Sequence, residues 1–68
     1  MKFGEVSKAR RLELGLTQDE LSEMAGTNQQ QITKVETYGM EPKFIVGCSI
    51  LVALELDPME VFKQLRLP

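Results

Sequence analysis

Each helix-stopping residue in this chain is followed within a few residues by a helix-starting one, which leaves room for little besides short helices. Gly15 closes a first segment, about Phe3 to Leu14, and Thr17-Gln18-Asp19-Glu20 opens the next. Glycine tolerates the left-handed conformation that ends a helix. Threonine accepts a hydrogen bond from the new first turn, and glutamate three positions on can bond back to the threonine N–H. The second segment runs from Gln18 to about Ala25, with Leu21, Met24 and Ala25 on its apolar side, and Gly26 stops it. Thr27 and Gln30 repeat the capping pair. They predict a third helix from Asn28 or Gln29 to Thr37, with Ile32 and Val35 inward and Gln29, Gln30, Thr33 and Lys34 outward. Pro42 disfavours helix at Glu41, so Tyr38 to Pro42 reads as loop. A fourth helix follows over about Lys43 to Leu54. Asp57-Pro58-Met59-Glu60 announces a fifth, with aspartate as cap and proline in the first helical position. Val61, Phe62 and Leu65 point inward on it. No alternating β-branched run interrupts the series. The expected fold is all-α: five short helices in one domain spanning 1–68.

Composition narrows the chemistry. At 68 residues, folding buries only about 60% of the surface an unfolded chain exposes, so stability is expected to be marginal or shared with a partner. One cysteine and no histidine argue against a zinc site and rule out an internal disulfide, and no metal or cofactor is expected. Met1-Lys2 leads straight to Phe3-Gly4-Glu5, without an apolar leader, so a cytoplasmic protein is the expectation. The longest apolar stretch, Phe44 to Leu54, has eleven residues, against about 20 needed to cross a bilayer. Enzymatic chemistry finds no histidine, no thiol–base pair and no glycine-rich phosphate loop; Glu13, Glu20 and Glu23 read as solvated helix faces. Ten acidic residues outnumber eight basic ones, for a net charge of −2. That balance weighs against nucleic acid as a partner.

The window from Gln18 to Thr37 points the other way. Two helices meet at a Gly26 turn, with Leu21, Ala25, Ile32 and Val35 inward and small Ser22 where the helices pass closely. Such a unit leaves the outer face and N-terminus of its second helix protruding. The pattern resembles the helix-turn-helix of the phage repressor and Cro (Xre-like) family along nearly the whole chain. The matching residues are Gly15-Leu16-Thr17-Gln18, Glu20-Leu21-Ser22, Ala25-Gly26-Thr27, Ile32 and Glu36, then Pro42, Leu51, Leu54 and Leu56-Asp57. The resemblance implies a lambda-repressor-like domain whose helices 2 and 3 form the DNA-binding motif. It implies double-stranded DNA as partner, with Gln29 and Gln30 on base edges, Lys34 one turn further along and Gln18 against a phosphate. The chemistry agrees: a glutamine or asparagine amide pairs with adenine N6 and N7 in the major groove. Asn28 joins this group, Thr27 and Thr33 offer hydroxyls, and Lys43 and the Tyr38–Met40 loop offer backbone contacts.

In the same family an arginine near the end of the first helix commonly pairs with a glutamate near the end of the third. The resemblance therefore implies a partly buried Arg11–Glu36 ion pair. Two departures stand out. Family members usually carry a large apolar residue at the position of Ser7, and often at Arg10; here Val6, Ala9 and Leu12 are the apolar candidates for the first helix. The loop that often holds basic residues has Met40 and Glu41 ahead of Lys43.

The fourth helix is apolar nearly all round. At about 100° per residue, Phe44, Gly47, Cys48, Leu51 and Leu54 form one face, expected to be core, with Ile50 at its border. Ile45, Val46, Val52 and Ala53 then form a second face that so small a domain does not cover by itself. A homodimer interface there suits paired recognition helices reading half-sites one DNA turn apart. The expected function is sequence-specific regulation, as a dimeric repressor with weak non-specific affinity and a shallow salt dependence. The alternative is an antitoxin-type module that masks a toxin partner and also binds operator DNA.

Overall fold

The computed structural model describes residues 2–65; the outermost residues of the expected 1–68 domain lie outside them. The elements are α1 (Phe3–Glu13), α2 (Gln18–Ala25), α3 (Gln29–Thr37), α4 (Phe44–Ala53) and α5 (Pro58–Leu65), with no strand among the described residues. The fold is all-α, as the punctuation predicts. α2 packs on both α3 and α4, α1 closes over α3, and α5 leans on α4. Leu21, Ile32, Val35, Ile50, Leu51 and Leu54 fill the centre, with Phe3 and Val61 at its margins.

One way of ending a helix recurs. After α1, Gly15 takes φ +71°, its N–H bonds the Leu12 carbonyl, and the Leu16 N–H reaches back to Arg11. After α2, Gly26 and Thr27 bond Glu23 and Ser22 in the same way, and after α4, Glu55 and Leu56 bond Val52 and Leu51. These are Schellman closures, which satisfy the last carbonyls and turn the chain sharply. At the α4 closure a glutamate, not a glycine, sits at φ 61°. Thr17 then caps α2 in a complete capping box with Glu20, and the Asp57 carboxylate accepts from the Met59 N–H at 3.0 Å.

Three expectations need correcting. First, the buried residues of α1 are Phe3, Gly4, Ser7 and Arg11. Of the apolar candidates, Val6 is half-buried against the core, while Ala9 is exposed and Leu12 is 59% exposed. At Gly4 the helices touch almost backbone to backbone. A Cβ at Gly4 would overlap the Val35 carbonyl oxygen. Second, α3 is capped by Asn28, whose Oδ1 accepts from the Gln31 N–H at 2.9 Å. Thr27 is already committed to closing α2, so the Thr27–Gln30 box does not form. Third, the faces of α4 are shifted: Ile50 is fully buried while Phe44 is 70% exposed, its ring packed 5.6 Å from that of Phe62. Val46 and Ala53 lean against the core. A helix apolar on every side carries no phase in its sequence, so the neighbours α2 and α5 choose the face.

Candidate nucleic-acid interface

Four polar side chains behind α3 form one connected cluster. The Arg11 guanidinium donates from Nε to Glu36 Oε2 at 2.8 Å and from Nη2 to Oε1 at 3.0 Å. Its Nη1 donates to the Leu16 carbonyl at 2.7 Å. The Glu36 side chain is only 1% exposed and that of Arg11 9%, so the carboxylate is screened from water and held by a bidentate pair. Gln18 Nε2 donates to the same Glu36 Oε1 at 3.1 Å, while Gln18 Oε1 accepts from the Thr33 hydroxyl at 2.9 Å. The Gln18 amide is thereby fixed in orientation between α2 and α3, with one N–H left over for an external acceptor. Among the described residues no buried side-chain nitrogen or oxygen lacks a partner.

This scaffold leaves one side of α3 open. Gln29, Gln30 and Lys34 are exposed, as is Asn28 beside them. Gln29, Gln30, Thr33, Lys34 and Tyr38 line a shallow depression along the helix. α3 has no acidic residue in its first turn, so the positive end of its dipole is uncompensated and faces outward. α2 differs, with Asp19 and Glu20 in its first turn. The Thr17 backbone N–H, and then its hydroxyl, hold the Glu20 carboxyl below its ordinary pKa.

Placement differs from expectation at several positions. Thr33 is half-buried with its hydroxyl turned to Gln18, and Thr27 is half-buried in the turn. Lys43 is exposed at the N-cap of α4, away from the row of amides in sequence. Arg10 donates from Nε to the Leu54 carbonyl at the end of α4 at 3.0 Å. Tyr38, 76% exposed at the end of α3, shares the depression with the glutamines. The sequence places it in a loop expected to offer contacts; here it stands at the end of α3 itself. Of the expected interface residues, Ile45 and Val52 are exposed and Val46 and Ala53 are half-buried.

The geometry is that of two helices joined by a left-handed Gly26 turn, the second presenting a polar outer face. The chain matches the helix-turn-helix family over residues 8–61. It belongs to that family, in its Cro/C1 (Xre-like) branch. No curated protein and no solved structure matches it.

For a Cro/C1-type helix-turn-helix protein the function is DNA binding in transcription regulation. The match begins inside α1 and ends inside α5, so it covers the Arg11–Glu36 cluster together with α2, α3 and α4. Among the described residues no helix is long and apolar enough to cross a membrane.

Proposed function

We propose that this helix-turn-helix protein is a sequence-specific repressor that binds operator DNA as a homodimer, with α3 in the major groove. The supporting observation is the row of exposed Gln29, Gln30 and Lys34 on a helix held from behind by Arg11, Glu36, Gln18 and Thr33. Side-chain amides discriminate adenine by a paired donor and acceptor, and discrimination needs a helix whose position is fixed before DNA arrives. Gln29 and Gln30 read base edges, Lys34 reaches a base or phosphate one turn on, and Asn28 and Lys43 meet the backbone. Gln18 gives its remaining N–H to a phosphate. Thr27 and Thr33 contribute by shaping the turn and by orienting Gln18.

Repression follows from occupancy of a promoter site, which needs no second domain. The protein works in the cytoplasm, where its DNA is. The test is selection of bound sequences from a random duplex pool at low salt. A two-fold repeated preferred sequence is the expected result. A pool that stays random overturns the reading.

A second reading, an antitoxin-type module that masks a toxin, draws support from the exposed apolar surface of α4. Phe44, Ile45 and Val52 are each more than 60% exposed. Affinity purification from the native host separates the two: a stoichiometric toxin-like partner supports masking, and its absence supports the stand-alone regulator.

A further inference from the structure

Phe44, Ile45 and Val52 on α4 are 70%, 77% and 64% exposed, and Met24 on the adjoining end of α2 is 56% exposed. Together with half-buried Cys48 they line a shallow groove where α2 meets α4. At 100° per residue, Ile45, Cys48 and Val52 fall within about 60° of arc, a single stripe. Along that stripe the bulk is arranged symmetrically: large Ile45 and Val52 flank small Cys48 and Ser49.

We infer that a second copy of this chain docks on this stripe, with the two α4 helices antiparallel across a two-fold axis passing between Cys48 and Ser49. The inference rests on the dimeric reading above and adds its geometry. A two-fold at that point sets Ile45 of each copy opposite the partner's Val52, so each large side chain meets a large one. The small residues at the centre permit an interaxial approach of about 8 Å. The four exposed large side chains offer about 550 Å² per copy, or about 1,100 Å² for the pair, just above the roughly 1,000 Å² that a specific interface needs. Charge agrees as well. The N-terminus of α4 has no side-chain cap, and antiparallel packing brings the partner's Glu55 level with it, a carboxylate at the positive end of a helix dipole. Half-buried Ala53 lines the edge of the groove, while Val46, also half-buried, leans against its own core.

Sedimentation equilibrium of the full chain, with Ile45→Glu and Val52→Glu, tests the placement. Both sites are exposed, so each variant is expected to melt like the wild type when dilute. The wild type forms a dimer with a micromolar dissociation constant, and each variant weakens it by about thirtyfold or more. Diamide provides a second readout: it takes up two electrons and two protons as two Cys48 thiols join across the axis. Cross-linked dimer is expected from the wild type and not from Val52→Glu. In a Cys48→Ser background, Leu12→Cys, exposed but on α1, gives none.

A wild type that stays monomeric at high concentration overturns the inference, and so does a dimer that both variants leave intact. A dimer that forms without Cys48 cross-linking overturns the position of the axis. Base preference on a single half-site, with Gln29→Ala beside it, is read separately. If that preference changes while the protein remains monomeric, the dimer geometry fails and the DNA reading stands.

Discussion

Arg11 and Glu36, 25 positions apart, meet through two parallel N–H···O bonds of 2.8 and 3.0 Å with the carboxylate almost fully buried. The pair ties the last turn of α1 to the last turn of α3, and through Gln18 it extends to the first turn of α2. Removing one partner leaves a charge stranded in the interior. Glu36→Ala is therefore expected to cost about 3–5 kcal/mol, whereas replacing both residues with apolar ones of similar volume costs far less or nothing. Thermal unfolding of Glu36→Ala beside the Arg11→Met, Glu36→Leu double variant measures both. Equal loss in the two would mean that the pair itself, and not the orphaned charge, carries the energy.

The close approach of α1 to α3 makes Gly4 intolerant. Gly4→Ala pushes a methyl group into the Val35 carbonyl, an overpacking expected to destabilise by about 1–3 kcal/mol. Gly47→Ala is the contrasting case. Its Cβ would sit 3.5 Å from Pro42 and 3.6 Å from Phe3, ordinary contact distances. Relief of glycine's conformational freedom within a helix should then raise stability by up to about 1 kcal/mol. Denaturant midpoints of the two variants should move in opposite directions.

Glu55 holds a left-handed conformation, φ 61°, at the end of α4. An L side chain in that region costs about 1–2 kcal/mol, which glycine avoids. Glu55→Gly is expected to raise the melting temperature by several degrees, about 4–8 °C for each kcal/mol gained in a domain of this size. A lowered melting temperature would mean that the carboxylate makes a compensating interaction.

The capping box at α2 gives the protein a pH dependence of known sign. Hydrogen bonds from Thr17, the backbone one first, lower the Glu20 pKa in the folded state. A carboxyl with a depressed folded pKa stabilises fully above its unfolded pKa, and that contribution is lost as pH falls through the folded value. An NMR titration should find Glu20 below the ordinary glutamate range, and Thr17→Ala should return it upward. No change on Thr17→Ala would place the cause elsewhere.

Where the sequence was legible, side-chain chemistry acted locally: Thr17, Gly15, Gly26 and Asp57 fix helix ends through bonds within a few residues. Where it was not, the deciding partner was distant or the pattern carried no phase. Gly4 looks unremarkable in sequence because its role is to let the Val35–Glu36 backbone approach, and nothing local signals that. Phe44 left the expected core face and border residue Ile50 moved to its centre because α4 is apolar on every side. Thr27 lost the cap of α3 to Asn28 because its backbone was already closing α2. The polar outer row of α3 was readable directly, since amphipathicity there is strong. The link from Gln18 to both Thr33 and Glu36 emerges only when α2 and α3 pack together.

The central claim is that Gln29 and Gln30 read bases. Its most direct test is equilibrium binding to the selected site and to a randomised duplex, with the wild type, Gln29→Ala and Gln30→Ala measured at the same salt. Each substitution is predicted to weaken binding to the selected site by about 1–3 kcal/mol, to leave binding to random DNA nearly unchanged, and to relax preference at one or two base pairs. Variants that bind both duplexes as the wild type does, or lose affinity equally for both, would contradict the claim.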